Sequence, residues 1–150
     1  MDIPAKVTVP ICIEQGAVYL YQLEATNHDG MPYKGDRFMI VLNANPKTDT
    51  VLVLATITKQ IENQRKYVKN SGESPETLVD ITPSDFVRLK QDSVVNCNNV
   101  YETSLSGLIS KIEDGGKFFT EKLPKSKISE IAKGVLLSKQ VTPEQKKLLV

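Results

Sequence analysis

Arg37 and Thr58 are the two residues whose types and positions most suggest chemistry. Arg37 directly precedes the apolar run FMIVLN, and Thr58 ends a second run, VLVLATIT. A guanidinium is always charged and binds two phosphate oxygens at once, while a hydroxyl donates one further hydrogen bond. The sequence contains no nucleophilic triad, metal-ligand cluster or glycine-rich phosphate loop. A cation and a hydroxyl acting on a phosphodiester are therefore the chemistry that these residues favour.

The sequence alone also leaves ordinary roles open for both residues. Arg37 in an ion pair with Asp36 or Glu24 would be a rim residue, and Thr58 would be one more β-branched strand residue. Thr56 shares the strand face of Thr58 by period-two counting. We favour Thr58 because it lies where the strand meets a polar loop.

Polar residues near the two candidates suit single-stranded RNA. His28 is the only histidine, and its free pKa lies near neutrality, although a lone loop histidine is mostly just solvated. The stretch from Lys59 to Lys69 offers cations for phosphates and one ring for a base; a solvated hairpin arm is the alternative. The residues that we assign to RNA binding are His28, Lys34, Lys59, Gln60, Arg65, Lys66, Tyr67, Asn98 and Asn99.

Apolar patterning predicts a strand-rich first half that positions these side chains. GAVYLYQLEA alternates as a strand does, whereas FMIVL and VLVLATI are near-continuous runs, typical of strands covered on both faces. The turn-forming segment ANPKTDT joins the two runs in a hairpin. Residues 59–76 are polar and predict a long exposed loop or hairpin arm. Further strands are predicted at ETLVDI and SVVNCNNVYE.

The second half carries helix signals. Thr82-Pro83-Ser84-Asp85 has the capping residue and the proline of a short helix. Two apolar stripes at helical spacing follow, at 105–112 and at 128–136, and Thr142-Pro143-Glu144-Gln145 is a capping box. Strands followed by helices predict a compact α+β barrel with the helices packed at one side.

Length and composition fit one globular domain spanning residues 1–150. Hydrophobic content is 40%, charged content is 25%, and the net charge of +1 argues against a strongly basic body but permits a local basic face. No apolar run approaches the roughly 18–20 residues of a membrane span, and the first residues make a poor signal peptide. Cys12 and Cys97 lie in apolar, strand-like contexts, which predicts buried, reduced thiols and a cytoplasmic location.

Four segments, in order, resemble the MazF/PemK-like toxins, bacterial endoribonucleases of toxin–antitoxin modules. EQGAVYLYQLE stands where the family has its first strand, and KGDRFMIVLN repeats the family's arginine two residues after a glycine. VLATITKQIENQRKY ends a third strand in threonine, and DSVVNCNNV matches a late strand motif. The resemblance covers about residues 14–112, with a C-terminal helical part at about 120–150.

The resemblance implies a small, strongly curved SH3-like β-barrel with C-terminal helices. It also implies a sequence-selective, metal-independent endoribonuclease that acts on single-stranded RNA, with Arg37 and Thr58 as catalytic residues. We expect no cofactor and no metal, a homodimer, no membrane association, and a protein antitoxin as a partner. The chain departs from the family pattern at Phe38, Asn96 and Asn98. Two other readings stay open: a non-catalytic protein that binds nucleic acid or a partner on the same barrel, and a topoisomerase-poisoning toxin that acts through its C-terminal helix.

Overall fold

One six-stranded antiparallel sheet organises the chain. The computed structural model describes residues 3–26 and 32–150, with only the backbone described at 24–26 and 32–34. The strands are β1 (Val18–Thr26), β2 (Pro32–Val41), β3 (Leu52–Thr58), β4 (Leu78–Ile81), β5 (Ser93–Thr103) and β6 (Lys117–Phe118). The helices are α1 (Ala5–Cys12), α2 (Ile61–Ser71), α3 (Leu105–Glu113), α4 (Lys125–Leu137) and α5 (Pro143–Lys147), with a short 3-10 turn at Pro75–Thr77.

The sheet is open rather than a closed barrel. Its strand order is β4-β5-β3-β2-β1-β6, so in the part of the chain that the structure describes β4 and β6 are edges that do not pair with each other. The α+β class and the C-terminal helices are confirmed, but barrel closure is not seen. Of the described helices, none has the length and apolar character needed to cross a bilayer.

Both faces of the sheet are covered, so the prediction that helices pack at one side only is wrong. Met39 and Val41 of β2 belong to one buried cluster with Leu108 of α3. Ile40, which points to the opposite face, belongs to a second cluster with Val135 of α4. Burial on both faces explains why β2 and β3 read as continuous apolar runs.

The β2–β3 hairpin forms as predicted and is held by Asn43. The Asn43 amide nitrogen donates to Asp49 Oδ2 (2.9 Å) and to the Val51 carbonyl oxygen (2.8 Å). Its oxygen accepts from the Val53 amide nitrogen at 2.7 Å. Because Asn43 is fully buried, these bonds satisfy an amide that would otherwise destabilise the fold. The hairpin fixes the register that brings the two candidate residues together.

Strand β2 begins earlier than the sequence indicates. It starts at Pro32, so Arg37 lies within the strand and not at its start. Gly35 and Asp36, which precede the apolar run FMIVLN and are residue types typical of turns, pair in the ladder with Leu23 and Gln22 of β1. Backbone pairing with β1 overrides the turn preference of these two residues. The predicted loop residue His28 lies outside the described residues.

Helix α2 replaces the exposed loop predicted for residues 59–76. Glu62 in its first turn and Lys69 in its last turn complement the helix dipole. Gly72 follows in the left-handed conformation (φ 73°), which ends the helix at low cost because glycine has no side chain. Of the α2 residues only Val68 is fully buried, so the sequence shows little apolar periodicity.

Helix α1 was not predicted. It contains β-branched residues and an internal proline, Pro10, which are poor helix formers. Burial of Val9 against the sheet stabilises it. Cys12 therefore ends a helix and is exposed, so its predicted burial is wrong; Cys97 is buried in β5, and both are free thiols.

The later helix predictions are confirmed for α3, α4 and α5. Thr142 caps α5 through a reciprocal capping box with Gln145. The short helix predicted after Thr82 is absent from the described chain. Asp85 does accept from the Thr82 amide nitrogen (2.9 Å), but residues 83–90 form separate turns. Each turn places one apolar side chain, Phe86 or Leu89, in the core.

Candidate functional site

A cleft of about 460 Å³ opens where the β2–β3 ladder ends. Its walls come from the middle of β2, the end of β3 with the residues after it, and the segment that precedes β5. The residues that line it are Asp36, Arg37, Phe38, Ile57, Thr58, Lys59, Gln60, Arg88, Leu89, Lys90, Gln91 and Ser93. Both residues singled out by the sequence thus line one cleft.

Strand register makes Arg37 and Thr58 neighbours. The β2–β3 ladder ends at the pair Phe38–Ile57. One step further in the same register, Arg37 lies across from Thr58. Directly opposite residues of an antiparallel pair have Cβ atoms about 4.5–5.5 Å apart and point to the same face. The geometry therefore suits a single group that contacts both side chains.

Arg37 is half-buried beside two tyrosines. Its Nη1 donates to the Asp36 carbonyl oxygen at 3.3 Å. Tyr21, its register partner on β1, is buried, and burial raises the pKa of its hydroxyl to about 12. Burial also raises the pKa of Tyr101, and the Arg37 charge offsets part of that rise. Both tyrosines are therefore neutral at physiological pH, and the guanidinium remains the charged group beside them.

Thr58 has its oxygen held and its hydrogen available. The Thr58 hydroxyl oxygen accepts a hydrogen bond from the backbone nitrogen of Gln60 at 3.2 Å. A hydroxyl has one hydrogen to donate in addition to its two acceptor positions. The bond from Gln60 therefore fixes the position of the oxygen and leaves its hydrogen for a bound anion.

The third wall is a basic segment that the sequence analysis did not assign to the site. Arg88 Nη2 donates to Glu121 Oε1 at 2.8 Å, and its guanidinium lies 5.3 Å from the centre of the Phe119 ring. Lys90 is exposed two residues later. The signal was present as two cations in the run VRLKQ, but that run was interpreted as a helix.

The cleft is locally positive although the chain is almost neutral. Arg37, Lys59, Arg88 and Lys90 line it, and Asp36 is the one carboxylate among its described lining residues. Such a concentration of cations attracts phosphate. Asp36 is also the one described lining side chain that, when ionised, only accepts hydrogen bonds. Within the described residues no group of three His, Cys, Asp or Glu side chains is placed to hold a metal ion.

The predicted RNA-binding residues divide between the cleft and other places. Lys59 and Gln60 line the cleft. Arg65 is exposed on α2 and pairs with Glu62 at 2.8 Å, with Lys66 exposed beside it. The Tyr67 hydroxyl donates to Gln140 Oε1 at 2.6 Å. These three α2 residues do not line the cleft, and Tyr67 links α2 to the segment before α5.

The predicted asparagines of β5 do not line the cleft either. Asn98 is buried, and its amide nitrogen donates to Thr77 Oγ1 (2.8 Å) and to Asn96 Oδ1 (3.0 Å). Asn99 is exposed on the same bulged strand. The Lys34 backbone pairs with Glu24, and its side chain, like His28, lies outside what the structure describes. The Asn98 amide thus connects parts of the fold and is not presented to a ligand in the cleft.

Comparison with known proteins agrees with this architecture. No curated protein matches the chain. The PemK-like, MazF-like toxin family of type II toxin–antitoxin systems matches residues 14–138, which is most of the chain and includes every residue that lines the cleft. The chain therefore belongs to the family of PemK-like, MazF-like toxins of type II toxin–antitoxin systems, whose usual activity is endoribonuclease.

Proposed function

We propose that this protein is a sequence-selective, metal-independent endoribonuclease toxin that cleaves single-stranded RNA in the Arg37–Thr58 cleft. The observation that carries the proposal is the meeting of a guanidinium and an available hydroxyl in one cationic cleft. Membership in a toxin family whose members generally cleave RNA supports the same activity. Because it belongs to this family, we also propose that it acts in the cytoplasm and is bound by a protein antitoxin.

The reaction uses the RNA's own 2′-hydroxyl. The 2′ oxygen bonds to the adjacent phosphorus, the bond from phosphorus to the 5′ oxygen breaks, and a 2′,3′-cyclic phosphate and a 5′-hydroxyl result. Asp36 accepts the 2′ proton, and water supplies the proton to the leaving 5′ oxygen. Arg37 and Thr58 donate to the non-bridging oxygens, whose negative charge increases in the transition state.

Single-stranded RNA fits this site better than a duplex does. In-line attack needs the 2′ oxygen, the phosphorus and the 5′ oxygen to align, and a flexible strand reaches that alignment more easily than a stacked helix. Unpaired bases also expose their edges to side chains. Gln60 and Gln91 carry amides, which can donate and accept and therefore can read a base edge. Sequence selectivity follows from such contacts.

End-labelled single-stranded RNA incubated with the purified protein in EDTA tests this proposal. We expect cleavage at a small set of sequences, with 2′,3′-cyclic phosphate ends, and no cleavage where the nucleotide 5′ to the cut is 2′-deoxy. Asp36→Asn should slow the reaction by about 100-fold or more, because loss of a general base typically costs 10²–10⁴-fold. Cleavage that requires added divalent metal would contradict metal independence.

A non-catalytic binding protein is the second candidate. It is favoured by one observation: Asn98, which stands where many family members have an acid, is a buried amide outside the cleft. On this alternative the protein binds RNA or a partner in the same cleft and cleaves none of a varied set of RNAs.

A further inference from the structure

We propose that the cleft contains a nucleobase subsite beside the Arg37–Thr58 pair, formed by the Phe38 ring and the guanidinium of Arg88. This inference rests on the proposed function and adds to it: the site would hold a nucleotide by its base as well as by its phosphate. A site for phosphate alone needs only donors and positive charge. This cleft in addition carries apolar side chains, namely Phe38, Ile57 and Leu89.

The Phe38 ring is held in place by two neighbouring aromatic rings. It makes a T-shaped contact with Phe86, with ring centres 5.6 Å apart and an interplanar angle of 82°, and a tilted contact with Phe119 at 5.7 Å. Phe86 and Phe119 also contact each other at 6.0 Å, so the three rings fix one another. A fixed aromatic ring at the edge of a cleft stacks on a base without a cost for ordering the side chain.

The Arg88 guanidinium is similarly positioned in advance. Glu121 accepts its hydrogen bond at 2.8 Å, and the Phe119 ring lies 5.3 Å away. The hydrogen bond from Arg88 lowers the pKa of the Glu121 carboxyl, so this partner stays charged at neutral pH. Guanidinium planes stack on unpaired bases and also contact phosphates. Arg88 therefore offers a second stacking surface among the residues that line the cleft.

Polar groups along the wall can distinguish one base from another. Gln60 and Gln91 line the cleft together with Ser93, whose hydroxyl donates to the Gln91 carbonyl oxygen at 3.1 Å. That bond fixes the backbone at Gln91, whose side chain is exposed. The cleft volume of about 460 Å³ falls within the range of roughly 300–1,000 Å³ of small-molecule sites.

NMR titration of the ¹⁵N-labelled protein tests the subsite. The probes are the four nucleoside 3′-monophosphates, with inorganic phosphate as the probe that lacks a base. We expect at least one nucleotide to bind roughly 5- to 100-fold more tightly than phosphate, as stacking of one base contributes. Nucleotides should shift the amide signals of residues 88–91, whereas phosphate should shift mainly those near Arg37 and Thr58.

Variants test whether Phe38 and Arg88 cause the higher affinity for nucleotides than for phosphate. Phe38→Leu and Arg88→Ala should each reduce nucleotide affinity towards that of phosphate. Phe38→Leu should leave phosphate affinity within about twofold. Arg88→Ala also removes a cation from the cleft, so it should lower phosphate affinity, but by less than it lowers nucleotide affinity. Lys139→Ala removes an exposed cation outside the cleft and should change neither affinity. Arg88 is also exposed, so its variant is expected to fold even if Phe38→Leu does not, and the amide spectrum verifies this.

The outcomes separate this inference from the proposed function. Equal affinity for phosphate and nucleotides, absence of any nucleotide binding, or unchanged nucleotide affinity in Arg88→Ala would overturn the subsite, even if the protein cleaves RNA. Base-dependent binding that is lost in both variants would support the subsite, even if no RNA is cleaved. In that case the protein would be the non-catalytic binding protein of the second candidate function.

Discussion

Arg37 and Thr58 meet because an antiparallel register puts them side by side. The register is fixed by buried residues of both strands, such as Ile40 opposite Ala55 and Val41 opposite Leu54. A slip of one residue would turn the Thr58 side chain to the other face of the sheet. The candidate site therefore depends on the core of the hairpin as much as on its own two residues.

The two cysteines should differ sharply in reactivity. Cys12 is exposed at the end of α1, whereas burial raises the pKa of Cys97 to about 12. Iodoacetamide at about pH 8 should modify Cys12 and leave Cys97 intact, because the thiolate is the nucleophile. Peptide mass spectrometry measures this, with the urea-unfolded protein, in which both thiols react, as the control.

The same shift in pKa links Cys97 to stability. Its ordinary value is 9.0, so the unfolded thiol ionises before the folded one does. The neutral Cys97 thiol favours the folded state. Its contribution to the free energy of unfolding is fully present below about pH 9 and is lost as the pH rises towards 12. In the iodoacetamide experiment, equal alkylation rates for Cys12 and Cys97 in the folded protein would contradict the buried position of Cys97.

The sequence predicts the site role of residues in or beside regular strands better than that of residues on turns. Arg37 and Thr58 were found because each adjoins an apolar run. Arg88 and Lys90 were missed because their approach to the cleft depends on the turns after Thr82, which bury Phe86 and Leu89. The inward orientation of Asn98 was missed because it depends on the irregular β3–β5 register between Ala55 and Ile57.

Among the elements, α4 packs closely on the sheet at a glycine. A Cβ added at Gly134 would lie 2.7 Å from Cys97 Sγ and 2.9 Å from the Glu76 carbonyl oxygen. We expect Gly134→Ala to lower the free energy of unfolding by about 1–3 kcal/mol, because overpacking outweighs the gain in helix propensity.

Urea unfolding measures this difference, and Ser129→Ala on the exposed face of the same helix is the control. The control substitution changes helix propensity without entering the core. A Gly134→Ala protein as stable as the wild type would show that α4 does not pack against Cys97 at the described distance.

Helices were predicted where their apolar residues repeat and missed where they do not. The stripes of α3 and α4 and the capping box of α5 are readable from the sequence. In α2 a single fully buried residue, Val68, gives no repeat, and in α1 the internal Pro10 opposes helix formation. In both cases contacts with the rest of the fold decide the local structure, and a single sequence does not display those contacts.

Charge is distributed unevenly over the protein. The net charge is only +1, yet among the described residues that line the cleft there are four cations and one carboxylate. Composition alone therefore gives no sign of a phosphate-binding site. The interior strands β2 and β3 are buried on both faces, which leaves little of their surface for a partner chain.

We predict a homodimer, as the family resemblance implies. We expect its contact surface to involve the second and third strands and the terminal helix. Because the middle of β2 and β3 is buried on both faces, the strands can contribute only their remaining surface. Light scattering after size-exclusion chromatography at micromolar concentration should give twice the chain mass of 16.7 kDa. A single species with the mass of one chain would contradict the prediction.

Single-turnover rates of RNA cleavage by the wild type, Arg37→Lys and Thr58→Val test whether Arg37 and Thr58 form the catalytic site. Lysine keeps the charge but loses the bidentate fork, and valine keeps the shape but loses the hydroxyl. We predict that each substitution slows cleavage by about 100- to 1,000-fold, as loss of one well-placed donor does. Lys139→Ala should cleave at the wild-type rate. If the wild type cleaves RNA and both variants cleave it at the same rate, the reaction does not occur at the Arg37–Thr58 site.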